Sequence, residues 1–137
     1  MKLSYSSASP YVRKAFACAI ARGIDGQVEK WAIKSTDADL ALSNPLAKIP
    51  TLVTDDGHTL FDSPVICEYL DSIGSAAPMF PVAGLARWTA LRLQALGDGI
   101  MDASQPRRRE IALPQDQGRI DYIELQKGKV ARAVDQL

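Results

Sequence analysis

No apolar run in this chain reaches the roughly 18 residues that a membrane-spanning helix requires, and residues 1–25 lack the basic-then-apolar order of a secretory leader. Both absences predict a cytoplasmic protein. Cysteine is scarce: Cys18 and Cys67 stand alone, without CxxC spacing and far below the density of a disulfide scaffold. Each therefore reads as a small buried residue ahead of a nucleophile. The one histidine, His58, lies in the turn-like run Asp55-Asp56-Gly57-His58 with no second histidine or cysteine at ligand spacing. It reads as a solvated turn residue, and no metal site is expected. Net charge is absent as well. Sixteen basic residues balance sixteen acidic ones, so no overall field draws the chain to nucleic acid or to an anionic membrane surface. Internal repeats and low-complexity tracts are missing too.

What remains is an ordinary globular composition. With 137 residues, 47% of them hydrophobic, the chain can bury one good core, or a small core and part of a second helical layer. Residues 2–6 read as a strand. Pro10 to Arg22 reads as a helix with Val12, Phe16 and Ile20 on one face and Gly23 as its stop. Gln27 to Lys34 reads as a second strand, completing a βαβ unit whose strands should be parallel. Thr36 to Leu42 is a short, weak helix. Thr51–Thr54 and Thr59–Phe61 flank Asp55-Asp56-Gly57 as a hairpin, and Ser63-Pro64 opens a helix striped by Ile66, Leu70 and Ile73. The expected order is βαβαββα over residues 1–75, an α/β domain.

Residues 76–84, with Pro78 and Pro81, read as a linker, and residues 85–137 as an all-α partial domain. Leu85 to Ala103 carries apolar residues on more than one face, so a helix buried on two sides is expected, with Trp88 in its core. The stretch around Pro106 interrupts it. Arg107, Arg108 and Arg109 read as a solvated helix end ahead of an anion site. Ile120, Ile123, Val130, Val134 and Leu137 mark a last helix whose stripe runs to the final residue, which suggests a truncated helical domain.

The stretch SSASPYVRK poses a question of chemistry. Ser9 before Pro10 is the pattern of an N-cap followed by proline at the first helical position. The hydroxyl can serve the cap alone or also meet a ligand. Ser63 before Pro64 repeats the pattern and reads as another N-cap, with Asp62 beside it. Such a helix start suits a carboxylate.

Together SSASPYVRK, NPLAKIPTLV and LFDSPVICEYL, in this order and followed by helices, resemble a bacterial glutathione S-transferase over essentially the whole chain. The resemblance implies a thioredoxin-like first domain and the start of a helical second one. Relatives are longer, so the chain is expected to be a fragment. The resemblance also implies a cis bond at Ile49-Pro50, turning the backbone N–H and C=O of Ile49 outward to pair with glutathione as an added strand. Ser63, with Asp62, would hold the γ-glutamyl end.

Ser9 would face the glutathione sulfur and, with the helix N-terminus, favour the thiolate, which is the nucleophile. Tyr5, Tyr11, Ser6 and Ser7 compete for that role, and Tyr11, Lys34 and Lys48 are further candidates for contact with glutathione. No cysteine lies within residues 1–17, so glutaredoxin-type disulfide exchange is not expected. The activity implied is thiol attack on an electrophile or peroxide, with glutathione as co-substrate and no metal, in a homodimer meeting through Ile66–Ile73 and Leu85–Ala103. The competing reading is a noncatalytic glutathione-binding or interaction module of the same fold. A plain thioredoxin-like domain without glutathione is the third.

Overall fold

The computed structural model describes residues 1–137, which divide into two units, Met1–Pro81 and Val82–Leu137. In the first, β1 (Lys2–Tyr5) pairs in parallel with β2 (Glu29–Ala32) and antiparallel with β3 (Leu52–Val53), which pairs antiparallel with β4 (Thr59–Leu60). The order across the sheet is β2-β1-β3-β4. As a central strand β1 is covered on both faces, so its adjacent residues Leu3 and Ser4 are both fully buried. The β3–β4 connection needs Gly57, whose φ of 85° lies in the left-handed region that a Cβ disfavours. β2 is shorter than its apolar pattern suggests, because Asp25–Gln27 close a 3-10 turn just before it.

Helices α1 (Pro10–Ala21) and α3 (Ser63–Ile73) pack against each other, and the short α2 (Ala38–Ser43) is anchored by fully buried Leu40. The face α1 buries is Val12, Ala15, Cys18 and Ala19, and Ile20 is 55% exposed, not part of the expected stripe. Small side chains let two helices approach closely, so Ala15 and Ala19 take the interface that bulk alone would assign to Ile20. Likewise Ile66 and Leu70 are buried on α3, whereas Ile73 is exposed and its place in the buried set falls to Cys67 and Asp71. Leu3, Leu52, Ile66 and Leu70 join the α1 face in one core, each worth about 1.5–3 kcal/mol of burial. Ile66→Val should cost about 0.5–1.5 kcal/mol in urea denaturation without changing the slope of the transition.

The second unit is a pair of helices, α4 (Gly84–Ile111) and α5 (Gln117–Val134), packed on each other. The predicted break at Pro106 is absent: α4 runs through it. Proline removes one intrahelical donor, and Ala103, Gln105, the three arginines and Glu110 around it are strong helix formers that carry the helix past that single loss. The end comes where Gln115 turns back and its amide donates to the carbonyl oxygens of Glu110 at 3.0 Å and Leu113 at 2.6 Å. Arg108 and Arg109 occupy the last turn and are exposed, in keeping with a solvated helix end, whereas Arg107 is half-buried with its Nε buried. Asp116 caps α5 by accepting from the Arg119 N–H, and the Arg119 guanidinium meets Glu110 at 2.6 Å.

Two expectations fail in this unit. Trp88 is 66% exposed, not core, and Ala103 is the one buried residue of α4. A pair of helices has a single shared face, and residues on the far side of α4 find no partner within the unit. The second is the helix buried on two sides, since Leu85 and Leu93 are exposed too; on α5, which stops at Val134, the apolar stripe is open as expected, with Ile120, Val134 and Leu137 exposed and Ile123 and Val130 half-buried.

Candidate functional site

Strand directions bring the chemically interesting segments to one end of the sheet. β1 finishes at Tyr5, beside the start of β3, because the two run antiparallel and Ser4 N–H donates to the Thr51 carbonyl at 2.8 Å. The 6–9 loop therefore leaves the sheet where the 44–51 loop enters it. β4 runs antiparallel to β3, so Phe61, Asp62 and Ser63 emerge at this end too. β2 runs parallel to β1 and delivers Lys34 there as well. The topology thus gathers Ser9, Ile49, Pro50, Asp62 and Ser63 around one edge, with Tyr11, Lys34 and Lys48 on the same segments.

Ser9 is the N-cap of α1. Its hydroxyl oxygen accepts from Val12 N–H at 3.3 Å, the long end of the hydrogen-bond range, and its carbonyl accepts from Arg13 N–H at 3.2 Å. The cap uses an oxygen lone pair and leaves the hydroxyl proton to be donated elsewhere. Ser9 and Tyr11 are both half-buried, open to a small molecule.

The second serine-proline pair is out of phase with the first. Asp62, not Ser63, is the N-cap of α3: it is extended, its carbonyl accepts the first helical bond from Ile66 N–H at 3.0 Å, and its side chain makes no capping bond. Ser63 is the first helical residue and is buried at 2% exposure, where the sequence pattern predicts a cap. The shift has a use. At the first and third helical positions the N–H groups of Ser63 and Val65 lack intrahelical partners, and Pro64 between them has none, so the helix start presents donors and a positive dipole end. The exposed Asp62 carboxylate stands beside them.

The Ile49-Pro50 bond is cis, as the motif predicts, and the Phe61-Asp62 bond is cis as well, which no residue pattern announces. Ile49 is half-buried, and neither its N–H nor its C=O takes a backbone partner within the chain. Lys34 and Lys48 are exposed.

The remaining candidates are placed away from this chemistry. Cys18 and Cys67 form no disulfide and are buried; Cys18 donates to the Cys67 carbonyl at 3.4 Å. A side-chain hydrogen bond with Cys67 pulls the Cys18 thiol below its ordinary value against the opposing effect of burial, but at 5% exposure it meets no substrate. His58 is an exposed turn residue 3.6 Å from the Asp56 carboxylate, which the Thr54 hydroxyl, ahead of His58, holds below the usual carboxylate range. No group of three or more histidine, cysteine, aspartate or glutamate side chains is arranged to hold a metal ion, and no helix is long and apolar enough to cross a membrane.

Comparison with known proteins agrees with this arrangement. Residues 8–73 match the family model described as glutathione S-transferase, N-terminal domain. Over 137 residues the chain is 38% identical to an uncharacterized GST-like protein, YibF, of Escherichia coli strain K12, covering all of this chain and 68% of the relative. A glutathione transferase family member from Pseudomonas fluorescens Pf-5, solved with bound glutathione, is 40% identical with a TM-score of 0.89, over 98% of this chain and 68% of that one. A glutathione S-transferase of Methylobacillus flagellatus KT, also with glutathione bound, is 38% identical with a TM-score of 0.86, over 98% and 67% of the two chains. The chain belongs to the glutathione S-transferase family, and its first unit has the thioredoxin-like fold of that family.

Proposed function

We propose that this chain binds glutathione at the sheet end described above and activates its thiol for attack on an electrophilic carbon or a peroxide. The observation that carries the reading is the unpaired backbone of Ile49, set between a helix start with a hydroxyl proton to donate and a helix start with open N–H groups. Glutathione has a complementary group for each. Its cysteinyl backbone pairs with the N–H and C=O of Ile49 as an added strand, beside Pro50. Its γ-glutamyl carboxylate meets Ser63 at the start of α3, with Asp62 facing the α-amino group. Its sulfur meets the Ser9 hydroxyl, which donates to the thiolate and so lowers the thiol pKa. Tyr11, Lys34 and Lys48 supply further contacts, the lysines toward the glycyl carboxylate. Glutathione is the co-substrate and no metal takes part. Bound glutathione in relatives 38% and 40% identical supports the same ligand here.

The reading extends to a cytoplasmic homodimer. An open groove of about 540 Å³ along α3, lined by Leu60, Pro64, Val65, Glu68 and Tyr69, leaves Val65 47% exposed and supports a second copy on that side. Sedimentation at micromolar concentration should give a species of twice the chain mass; a monomer there contradicts the dimer.

Ser63→Ala should weaken glutathione about fivefold in titration calorimetry, the worth of one hydrogen bond of about 1 kcal/mol, and leave the ionisation of the bound thiol unchanged. Affinity equal to that of the parent chain would remove Ser63 from the site. Measuring affinity and conjugation rate together separates the readings: binding without turnover identifies a noncatalytic module, and absence of both leaves only a thioredoxin-like structural domain.

A further inference from the structure

A buried polar network grips the segment that carries Ile49. Asn44, at 1% exposure, spends its whole amide on it: Nδ2 donates to the Lys48 carbonyl at 3.2 Å and to Thr51 Oγ1 at 2.9 Å, and Oδ1 accepts from Leu46 N–H at 2.9 Å. Thr51, fully buried, donates its hydroxyl to the same Lys48 carbonyl at 2.8 Å, and its N–H donates to Ser4 Oγ at 2.7 Å. Ser4 is fully buried in the central strand. The clamped positions are residues 48 and 51. The residues between them are Ile49 and Pro50, and proline has no N–H to offer.

The network also holds a backbone conformation that the residue would not choose. Ala47 sits at φ 48°, in the left-handed region, with its N–H donating to the Asn44 carbonyl at 2.8 Å. Apolar side chains at 44, 51 and 4 would fill a core without the desolvation that three buried polar groups incur. What the polar set adds is a fixed path for the loop.

From this we infer that Asn44 is a positioning residue for glutathione binding, acting with Thr51 and Ser4 to hold the N–H and C=O of Ile49 at the spacing an incoming peptide strand requires. The inference rests on the glutathione reading above. In this proposal Asn44 acts through the loop backbone without touching the ligand, and no member of the network hydrogen-bonds Ser9, whose oxygen serves Val12 N–H. Loss of the network therefore lowers affinity for the peptide whether or not a free thiol is present, and it leaves thiol ionisation alone.

The test uses the full chain with Asn44→Ala, Thr51→Val and Thr51→Ser. Calorimetry is run with glutathione and with S-methylglutathione, whose peptide is the same and whose sulfur cannot ionise, and the thiolate absorbance of bound glutathione is titrated. Thr51→Val keeps the shape and the backbone bonds and removes only the hydroxyl; Thr51→Ser restores it. The expected result is about a fivefold loss of affinity for both ligands in Asn44→Ala and Thr51→Val, near-parent affinity in Thr51→Ser, and an unmoved thiol titration in all of them. Variants that melt lower yet bind both ligands as the parent does would reduce the network to a structural role and overturn the inference. A loss confined to glutathione, with a shifted thiol titration, would overturn it too. If Asn44→Ala does not fold, the Thr51 pair decides. A parent chain that binds neither ligand would overturn the glutathione reading and this inference with it, whereas a binding parent with unaffected variants removes the inference alone.

Discussion

Asp71→Ala is expected to cost the first unit about 3–5 kcal/mol of stability, a large share of the 5–15 kcal/mol typical of a domain. Asp71 and Arg22 form an ion pair at 6% and 4% exposure, with Arg22 Nε 2.9 Å from Asp71 Oδ1. The pair is the centre of a wider knot. Asp71 accepts from Met79 N–H at 2.8 Å and Phe80 N–H at 3.0 Å, and Arg22 donates to the carbonyls of Asp71 at 3.1 Å and Gly74 at 2.6 Å. The Arg22 carbonyl in turn accepts from Ser75 N–H at 3.0 Å and Ala76 N–H at 3.2 Å.

Removing the carboxylate strands a buried guanidinium, one of whose nitrogens already lacks a partner, and two backbone donors besides. The paired replacement Arg22→Met with Asp71→Leu should cost less than Asp71→Ala alone, because no charge is left behind. Urea denaturation of the parent, both single variants and the double variant measures this directly. A loss below about 1 kcal/mol for Asp71→Ala would mean that water reaches the pair.

Ser9→Ala should slow conjugation of glutathione to an aryl halide by about tenfold or more and raise the pKa of the bound thiol. One charge-assisted hydrogen bond to a thiolate is worth about 1.5–3 kcal/mol, and each 1.36 kcal/mol is about tenfold in rate. Because Ser9 also caps α1, the same change costs about 0.5–2 kcal/mol of stability through the Val12 N–H it leaves unserved. The two roles separate in Ser9→Asp. An aspartate restores the cap and suits the helix dipole, yet it sets a negative charge against the thiolate. Stability should return in Ser9→Asp while the rate stays low. Recovery of both would make the hydroxyl a cap alone and move thiol activation elsewhere.

Legibility in the sequence followed the range of the interactions involved. The βαβαββα order, the Asp55-Asp56-Gly57 turn and the helix start at Ser9 depend on neighbours in the chain, and residue order alone announced them. Ser63 was misplaced by one position because the two serine-proline pairs look alike, and only the bond from Ile66 N–H to the Asp62 carbonyl distinguishes them. Helical spacing puts Ile20 on a face with Val12 and Phe16 and Ile73 in a stripe with Ile66 and Leu70, whereas the α1–α3 contact buries Ala15, Ala19 and Cys67 instead. Trp88 and the stripe of α5 follow a helical period correctly, but periodicity says which residues share a face, and it does not say whether that face is covered. The clamp on the 44–51 loop joins Asn44 through Thr51 to Ser4, 47 residues before Thr51. The hint was an asparagine before proline at a helix end, which marks a turn and names no distant partner.

The central claim is that this chain binds glutathione as the thiolate. Titrating the ultraviolet thiolate absorbance of glutathione against pH, with and without saturating chain, tests it most directly. Saturable binding is expected, with a bound thiol that ionises at lower pH than free glutathione, whose thiol titrates near the ordinary value of about 8.5. A bound thiol that titrates together with free glutathione, or no binding at millimolar ligand, would contradict the claim.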